Sequence, residues 1–269
     1  MLRKMRFAPY VYAWGHNNHA AYKVCNVADV ERVGVMEIIL AFYVDGRYNE
    51  IINWKDDIRR SAVRVRLALG GACGRIISDK PMQRQVAELV HLIRELDVDW
   101  IDVDIEGQGN ADAVLVCQLV SGAVAETGVR VSLTLPVEWT GLGAEAVHVM
   151  EVFHQVPVSM YNLMVMDFYT PYEGAWGVKH IQILKSVQRQ LGIPWSKLGV
   201  CPMIGRNDDG TYFTLDDWDT LLKFARSVDL GLVTFWALNR DQAGTGGIDT
   251  HSSQPHDYQY TERALLYTR

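Results

Sequence analysis

Eight apolar, strand-like segments alternate with helical segments along the chain, and this alternation constrains the fold more than any other feature. The strand-like segments are residues 7–14, 37–44, 65–69, 100–105, 129–135, 162–167, 198–202 and 232–237. Helical periodicity is found at residues 27–33, 54–62, 82–96, 111–127, 143–154, 178–191, 215–228 and 261–267. Eight strands separated by helices in about 250 residues predict an α/β fold, the (β/α)8 TIM barrel.

No other feature suggests a second folding unit. The chain has no Pro/Ser-rich linker and no internal repeat, so residues 1–269 are expected to form a single domain. A doubly wound open sheet is the competing fold. It usually has fewer strands, and no glycine-rich phosphate loop follows the first strand-like segment, where residues 14–18 read W-G-H-N-N.

Charge and cysteine content argue against several classes of function. The formal net charge is -6, from 26 Lys+Arg and 32 Asp+Glu, and no block of basic residues occurs, so nucleic acid is not an expected partner. The cysteines show no Cys-x-x-Cys spacing, so we expect free thiols in or near the core instead of disulfides or a zinc site. These cysteines are Cys25, Cys73, Cys117 and Cys201.

The sequence shows no sign of a membrane segment. No apolar run reaches the roughly 18 residues that a membrane span needs, and basic residues 1–6 lead into no apolar signal segment. We therefore expect a soluble, monomeric protein with no membrane partner. It would be cytoplasmic, exported by a non-classical route, or secreted with its leader removed.

One strand-like segment carries an unusual concentration of acids, at residues 99–106, which read D-W-I-D-V-D-I-E. On a strand, Asp102, Asp104 and Glu106 share one face with Trp100, and apolar side chains occupy the other face. Residues two apart on a strand are only about 7 Å apart, so the three carboxylates repel one another unless protons or hydrogen bonds are shared. Such a cluster favours a functional site over a requirement of the fold.

In a TIM barrel the active site lies at the C-terminal ends of the strands. Aromatic rings and carboxylates are concentrated at these ends, as Tyr12, Trp14 and Trp236 and the acids Asp104 and Glu106 show. Aromatic faces stack on the apolar faces of sugar rings, while carboxylates and amides bond the hydroxyls. The combination predicts a carbohydrate ligand.

The acidic segment resembles the signature of glycoside hydrolase family 18 chitinases, D-x-x-D-x-D-x-E at the end of strand four. Asp99, Asp102, Asp104 and Glu106 match this signature without a gap. Residues 68–71 (A-L-G-G) fall where the family has S-x-G-G on strand three. Further segments resemble the bacterial-type catalytic domain, with M-V-M-D-F-Y at residues 164–169 on strand six and T-F-W-A-L-N-R-D at residues 234–241 on strand eight.

Four positions depart from the family pattern. Ala68 replaces the usual serine, and Trp100 stands where the family usually has glycine. Phe168 separates Asp167 from Tyr169, and Met166 occupies the place of a tyrosine found in many members. These departures concern how the acetamide group is held, whereas the acid itself is retained.

The resemblance implies a role for each acid. Glu106 would be the general acid/base, and Asp104 would bond the N–H of the substrate's 2-acetamido group. Asp102 would lie behind Asp104 and share a proton with it. Asp99 has the opposite parity and is interpreted as a structural residue. Family 18 is an exception to the two-carboxylate scheme, because the substrate's own acetamide attacks the anomeric carbon.

The resemblance also implies residues that bind substrate. Asp167 and Tyr169 would contact the acetamide carbonyl, and Trp236 would form the floor beneath the distorted sugar. The further candidates for the walls are Met166, Tyr12, Trp14 and Met203.

No metal or cofactor is expected from the sequence. Residues 102–107 mimic the opening of an EF-hand loop, but the twelfth position is Ala113 instead of glutamate. His16 and His19 have a metal-like spacing, but no acid cluster accompanies them in the sequence.

The expected reaction is hydrolysis of β-1,4 bonds in chitin or chitooligosaccharides by a retaining, endo-type chitinase. Some chitinases carry an inserted α+β domain after strand seven; here only residues 203–214 separate that strand from its helix, which predicts an open groove. Two alternatives stay open. The first is an endo-β-N-acetylglucosaminidase acting on N-glycans. The second is a non-catalytic, chitin-binding lectin, against which the presence of Glu106 argues.

Overall fold

The computed structural model describes residues 5–106 and 113–268. Its strands are β1 (Arg6–Phe7), β2 (Tyr10–Tyr12), β3 (Glu37–Tyr43), β4 (Arg64–Gly71), β5 (Trp100–Ile105), β6 (Arg130–Glu138), β7 (Gly141–Leu142), β8 (Val158–Met164), β9 (Leu198–Cys201), β10 (Gly205–Arg206), β11 (Tyr212–Phe213) and β12 (Leu232–Val233). Its helices are α1 (Val27–Arg32), α2 (Tyr48–Ile52), α3 (Lys55–Arg59), α4 (Met82–Glu95), α5 (Ala113–Thr127), α6 (Ala144–Val152), α7 (Trp176–Leu191), α8 (Leu215–Ser227) and α9 (Gln259–Thr268).

The first strand-like segment closes the main sheet, whose strand order is β1-β12-β9-β8-β6-β5-β4-β3-β2. Proline at position 9 has no N–H, and it divides the segment into β1 and β2. β1 pairs in parallel with β12, and β2 pairs in parallel with β3. Because β1 and β2 are consecutive parts of one extended segment, the two ends of the sheet are continuous. The predicted TIM barrel is thereby confirmed. It has eight parallel strands when β1 and β2 are counted as one.

Two apolar layers follow from the alternation of side chains along the strands. On β5, Ile101, Val103 and Ile105 point outward and belong to the large core between the sheet and the helices. Trp100 points inward, into a smaller core inside the barrel that also contains Tyr10 and Tyr12. This is the arrangement that the period of two predicts, and it places the acids of β5 on the inner face.

An ion-pair network closes the barrel at the N-terminal ends of the strands. Glu37 accepts hydrogen bonds from Arg6 and from Arg66, whose guanidinium is almost fully buried. Burial favours the neutral form of Glu37, but the two guanidinium groups outweigh it and lower the pKa of this carboxyl. The ring of Trp100 lies 4.0 Å from Arg66 and 4.4 Å from Arg130. Arginine side chains therefore hold the N-terminal end of β5, below the acids.

Several local predictions from the sequence need correction. The eighth strand-like segment, predicted over residues 232–237, is a strand only at β12, since the chain turns into the cavity wall before residue 237. Helix α2 and the short strands β7, β10 and β11 were not predicted. The helix predicted over residues 111–127 corresponds to α5, and residues 111 and 112 lie outside the described residues. Cys25 and Cys201 are buried free thiols, but Cys73 is exposed and so lies outside the core.

Two further observations concern domain content and membranes. Residues 203–214 contain only the β10–β11 hairpin, so no α+β domain is inserted there. Within the described residues, no helix combines the length and the apolar character that crossing a membrane requires.

Candidate active site

The C-terminal ends of the strands surround a cavity of about 320 Å³. Three of the four signature positions are acids of β5 or its end, and two of them, Asp104 and Glu106, line this cavity. The other lining residues are Tyr10, Trp14, Phe42, Val44, Arg47, Ala72, Cys73, Thr134, Met164, Met166, Asp167, Cys201, Met203, Asp208, Trp236 and Asp249. The cavity thus combines carboxylates with aromatic and methionine side chains.

Asp102 lies beneath the cavity, where three hydroxyl groups hold its carboxylate. Ser132 Oγ donates to one oxygen at 2.5 Å, and Thr134 Oγ1 and the Tyr10 hydroxyl donate to the other at 2.8 Å each. Parallel pairing places Ser132 beside Asp102 and Thr134 beside Asp104. Burial raises the pKa of Asp102, and the three hydroxyl donors oppose that rise.

Asp104 lies one step nearer the cavity and is also buried. One of its carboxylate oxygens, Oδ1, has no hydrogen-bond partner among the described residues. Burial, followed by the charges of Glu106 and Asp102, holds the pKa of Asp104 well above its usual range. Among the described residues, the hydrogen bonds to Asp102 come from hydroxyl groups and none from Asp104, so the expected shared proton is not seen in this conformation.

Glu106 follows the last residue of β5 and faces the cavity. Burial is the largest cause that raises the pKa of Glu106, to about 7, and the charges of Asp167, Glu145 and Asp208 act in the same direction. A carboxyl group with this pKa is about half protonated at neutral pH and can both donate and accept a proton. Asp99, at the other end of the strand, pairs with Arg130 and takes no part in the cavity.

Gly70 allows the backbone of β4 to approach β5 at the position of Asp104. A β-carbon at Gly70 would lie 2.0 Å from the Asp104 carbonyl oxygen, and the φ of Gly70 is +106°. The adjacent Gly71 is equally restricted, since a β-carbon there would lie 2.4 Å from the ring of Phe42. The two glycines therefore serve close packing around the acid and the aromatic wall.

Aromatic rings form one side of the cavity around Trp236. The ring of Trp236 stacks on Phe42 with centroids 5.5 Å apart and contacts Tyr10 at 5.8 Å. Trp14 is 38% exposed and stacks on Tyr12 with centroids 4.5 Å apart. Trp236 and Trp14 thus present ring faces to the cavity.

The expectation that Tyr12 forms a wall is wrong. Tyr12 is fully buried, and Trp14 and Trp236 cover its ring. Tyr12 and Trp14 are two residues apart and point to the same side, but Tyr12 lies deeper in the barrel. Tyr12 supports the aromatic wall from behind instead of forming its surface.

Asp167 reaches the cavity from the segment that follows β8, where its backbone has a φ of +51°. The turn of the β10–β11 hairpin fixes this carboxylate, because Asp167 Oδ1 accepts the backbone N–H groups of Asp208 and Asp209 at 2.7 and 3.2 Å. Asp209 in return accepts the backbone N–H of Tyr169 at 3.2 Å. Burial raises the pKa of Asp167 to about 6, and the charge of Asp208 adds to the effect.

Tyr169 is not in the expected place. Its side chain is 74% exposed and does not line the cavity. Of the other predicted binding residues, Met166 and Met203 line the cavity as expected. Met203 also pairs with Trp236 through an isolated β-bridge.

Sequence reasoning missed several polar residues of the site. Ser132 and Thr134 are two residues apart on β6 and therefore face the same side of the strand. Once β6 is paired in parallel with β5, this alternation places both hydroxyls beside the acids. Asp208 comes from a turn 41 residues beyond Asp167, and no local pattern connects the two residues. Tyr10, Arg47, Cys201 and Asp249 also line the cavity without having been predicted as site residues.

Comparison with known proteins gives consistent matches. The family model described as Glycosyl hydrolases family 18 matches residues 5–203. A curated relative, "Probable bifunctional chitinase/lysozyme" of Escherichia coli (strain K12), is 26% identical over 217 residues, which are 70% of this chain and 24% of the relative. The chain therefore spans about a quarter of the length of that relative.

Solved structures with low sequence identity share the fold. The active domain 2 of a thermostable chitinase from Pyrococcus furiosus, complexed with chito-oligosaccharides, has a TM-score of 0.84 at 23% identity and covers 99% of this chain and 95% of its own. The catalytic domain of a family GH18 chitinase from the fern Peteris ryukyuensis has a TM-score of 0.66 at 15% identity and covers 98% and 99%. A fungal endo-beta-N-acetylglucosaminidase of family 18 has a TM-score of 0.63 at 12% identity and covers 97% and 96%.

Replacement of Gly70 tests how tightly β4 packs against the acid strand. Gly70→Ala forces the backbone away from Asp104, and we expect a loss of several kcal/mol in the free energy of unfolding, measured with denaturant. The control is Gly128→Ala, which has a positive φ of +68° but open space around it. It should cost only the left-handed strain of about 1–2 kcal/mol. Equal losses in the two variants would contradict the proposed close approach.

Proposed function

The chain belongs to the glycosyl hydrolases family 18, and on that basis we propose that it is a chitinase. It hydrolyses β-1,4 bonds between N-acetylglucosamine units of chitin or chitooligosaccharides, with retention of anomeric configuration. The observation that carries this proposal is the juxtaposition of two carboxyl groups with different environments. Glu106 has a pKa of about 7 and faces the cavity, and the buried Asp104 beside it keeps an oxygen without a hydrogen-bond partner among the described residues.

In the first step Glu106 protonates the glycosidic oxygen of the bond that breaks. The carbonyl oxygen of the substrate's 2-acetamido group attacks the anomeric carbon from the other face, and the sugar becomes a cyclic oxazolinium ion. Asp104 Oδ1 accepts the acetamide N–H and keeps the group in the attacking orientation. The leaving oligosaccharide carries away the proton that Glu106 supplied.

The positive charge of the oxazolinium ion favours the ionised form of Asp104. Asp102 is the group that can take the proton of Asp104, because its carboxylate lies behind and already has a raised pKa. The three hydroxyls around Asp102 hold its carboxylate in position beneath Asp104. In the second step Glu106, now ionised, removes a proton from water, which attacks the anomeric carbon and restores the acetamide.

The remaining cavity residues position the sugar. Trp236 offers an apolar floor, and Met166 and Met203 complete the wall near it. We propose that Asp167, held by two backbone N–H groups, donates to the acetamide carbonyl in its protonated form; its pKa of about 6 supports this role below neutral pH. Because the hairpin after β9 adds no domain to the rim, we propose endo-type cleavage of chains that extend beyond the cavity.

Glu106→Gln is the direct test of the acid. Turnover of chitotetraose and chitohexaose should fall by about 10²–10⁴ or more, since the amide cannot protonate the leaving oxygen, while oligosaccharide binding should persist. The control is Glu138→Gln, an exposed acid at the end of β6 that does not line the cavity; it should keep full turnover. A Glu106→Gln variant with near-normal turnover would refute the assignment.

The same assay decides among the alternatives. Release of the glycan from a high-mannose glycoprotein, with chitotetraose left intact, would assign an endo-β-N-acetylglucosaminidase. Binding of chitotetraose without cleavage of either substrate would assign a lectin.

The pH dependence of the reaction follows from the environment of Glu106. The acid must carry its proton when the substrate binds, so kcat/KM should fall as the pH rises above about 7. Asp208→Asn removes one of the charges that raise the pKa of Glu106, and the alkaline limb should move to lower pH. The control, Asp216→Asn, changes an exposed acid at the start of α8 and should leave the limb in place. An unmoved limb in Asp208→Asn would contradict this electrostatic account.

A further inference from the structure

A second group of chemically reactive side chains lies outside the cavity, where the loop after β2 meets helix α1. His19, Cys25 and Asp29 each offer one ligand atom, and these three atoms lie within 4.8 Å of one another. Cys25 Sγ is 3.6 Å from Asp29 Oδ2, and His19 Nδ1 is 3.8 Å from the same oxygen. A nitrogen, a sulfur and an oxygen ligand thus converge on one point.

The distances are close to those of a tetrahedral metal site. Zinc binds thiolate sulfur at about 2.3 Å and imidazole nitrogen or carboxylate oxygen at about 2.0–2.2 Å, so neighbouring ligand atoms lie about 3.3–3.6 Å apart. Cys25 and Asp29 already have this separation. His19 Nδ1 lies 3.8 Å from Asp29 Oδ2, and all three ligand atoms lie within 4.8 Å of one another, so the imidazole has to approach the sulfur by up to about 1 Å. The side chain of His19 is 58% exposed and contacts Asn26 Nδ2 only through Nε2, at 3.4 Å, which leaves Nδ1 able to make this approach.

The surroundings hold the carboxylate in the ligating orientation. Arg32 Nη2 pairs with Asp29 Oδ1 at 3.0 Å, so the other oxygen turns toward Cys25 and His19. Such outer partners orient the ligands of metal sites. Asp29 Oδ2 also accepts the Cys25 backbone N–H at 3.1 Å, an ordinary helix-start contact. That contact does not account for a thiol and an imidazole that both approach the same oxygen.

The loop is also closed at its base, so that two of the ligands start from fixed positions. The Asn17 backbone N–H donates to the Cys25 carbonyl oxygen at 2.8 Å. The side chain of Asn26 caps α1 by accepting the backbone N–H of Asp29 at 2.9 Å. Little conformational entropy therefore remains to be lost when a ligand binds to Cys25 and Asp29.

We propose that His19 Nδ1, Cys25 Sγ and Asp29 Oδ2 bind one divalent transition metal ion of the zinc class, with water as the fourth ligand. When the metal binds, the S–H bond of Cys25 breaks, the sulfur–metal bond forms and the proton passes to solvent. The mixed nitrogen, sulfur and oxygen donors favour Zn²⁺ over Ca²⁺ or Mg²⁺, which prefer oxygen ligands alone.

This site would stabilise the loop that carries Trp14 into the cavity wall, because it links His19 to the start of α1. It does not depend on the proposed chitinase activity. The sequence suggested no site at His16 and His19, because no acid cluster accompanies them in the sequence. In the structure His16 takes no part in the site, since its Nε2 lies 2.9 Å from Asp57 Oδ2. The true partners of His19 lie six and ten residues further along the chain.

Cobalt titration of the full chain tests the sulfur ligand. Co²⁺ alone, added to the metal-free protein, should give a thiolate-to-cobalt charge-transfer band that saturates at one equivalent. Cys25→Ser should abolish this band, whereas Cys73→Ser, which removes the exposed thiol, should retain it. No band, or a band that survives Cys25→Ser, would overturn the proposal.

Zinc affinity tests the histidine ligand separately. In competition with a chromophoric chelator, His19→Ala should weaken Zn²⁺ binding at least about tenfold, and the matched control His16→Ala should leave it unchanged. Zn²⁺ should also raise the Tm of the wild-type chain and of His16→Ala, but raise it less in His19→Ala. Equal zinc affinity in the two histidine variants would contradict the assigned ligand set.

Discussion

The structure of the site depends on two buried carboxyl groups on the inner face of one strand, Asp102 and Asp104, and on the half-buried Glu106 that follows them. Asp102 makes this burial possible, because hydroxyls from three residues satisfy its oxygens. The side chain of Asn162 on β8 extends the network by donating to Thr134 at 3.1 Å and to the Tyr10 hydroxyl at 3.4 Å. The hydrogen bonds around Asp102 on β5 thus connect it with side chains of β2, β6 and β8.

Burial has an electrostatic cost that increases toward the cavity. Asp102 has three donors, whereas Asp104 has an oxygen without any partner in the described part of the chain. Burial and the charges of Glu106 and Asp102 raise the pKa of Asp104 well above its usual range, and burial raises the pKa of Glu106 to about 7, so both groups can hold a proton near neutral pH. The folded state keeps this unfavourable arrangement because the remaining barrel is well packed. A chitinase of this type would use the retained proton for catalysis.

The sequence predicted the barrel and the order of the acids well, because both depend on local patterns. The alternation along residues 99–106 determines which side chains face inward. Depth and long-range contacts are not encoded locally. Tyr12 has the parity of a wall residue but is covered by Trp14. Tyr169 comes two residues after an acid of the cavity, but its side chain is exposed to solvent. Asp208 lies on a hairpin 41 residues beyond Asp167, so only the fold reveals the contact.

The central claim is that the anomeric carbon undergoes two displacements, first by the substrate's acetamide and then by water, instead of one direct displacement by water. Time-resolved ¹H NMR of chitotetraose cleavage shows which anomer of the product forms first, and so distinguishes the oxazolinium route from direct attack by water. Our account predicts that the first reducing-end product formed from the cleaved bond is the β-anomer, since two inversions give net retention. Initial formation of the α-anomer would show a single displacement by water and would contradict the account.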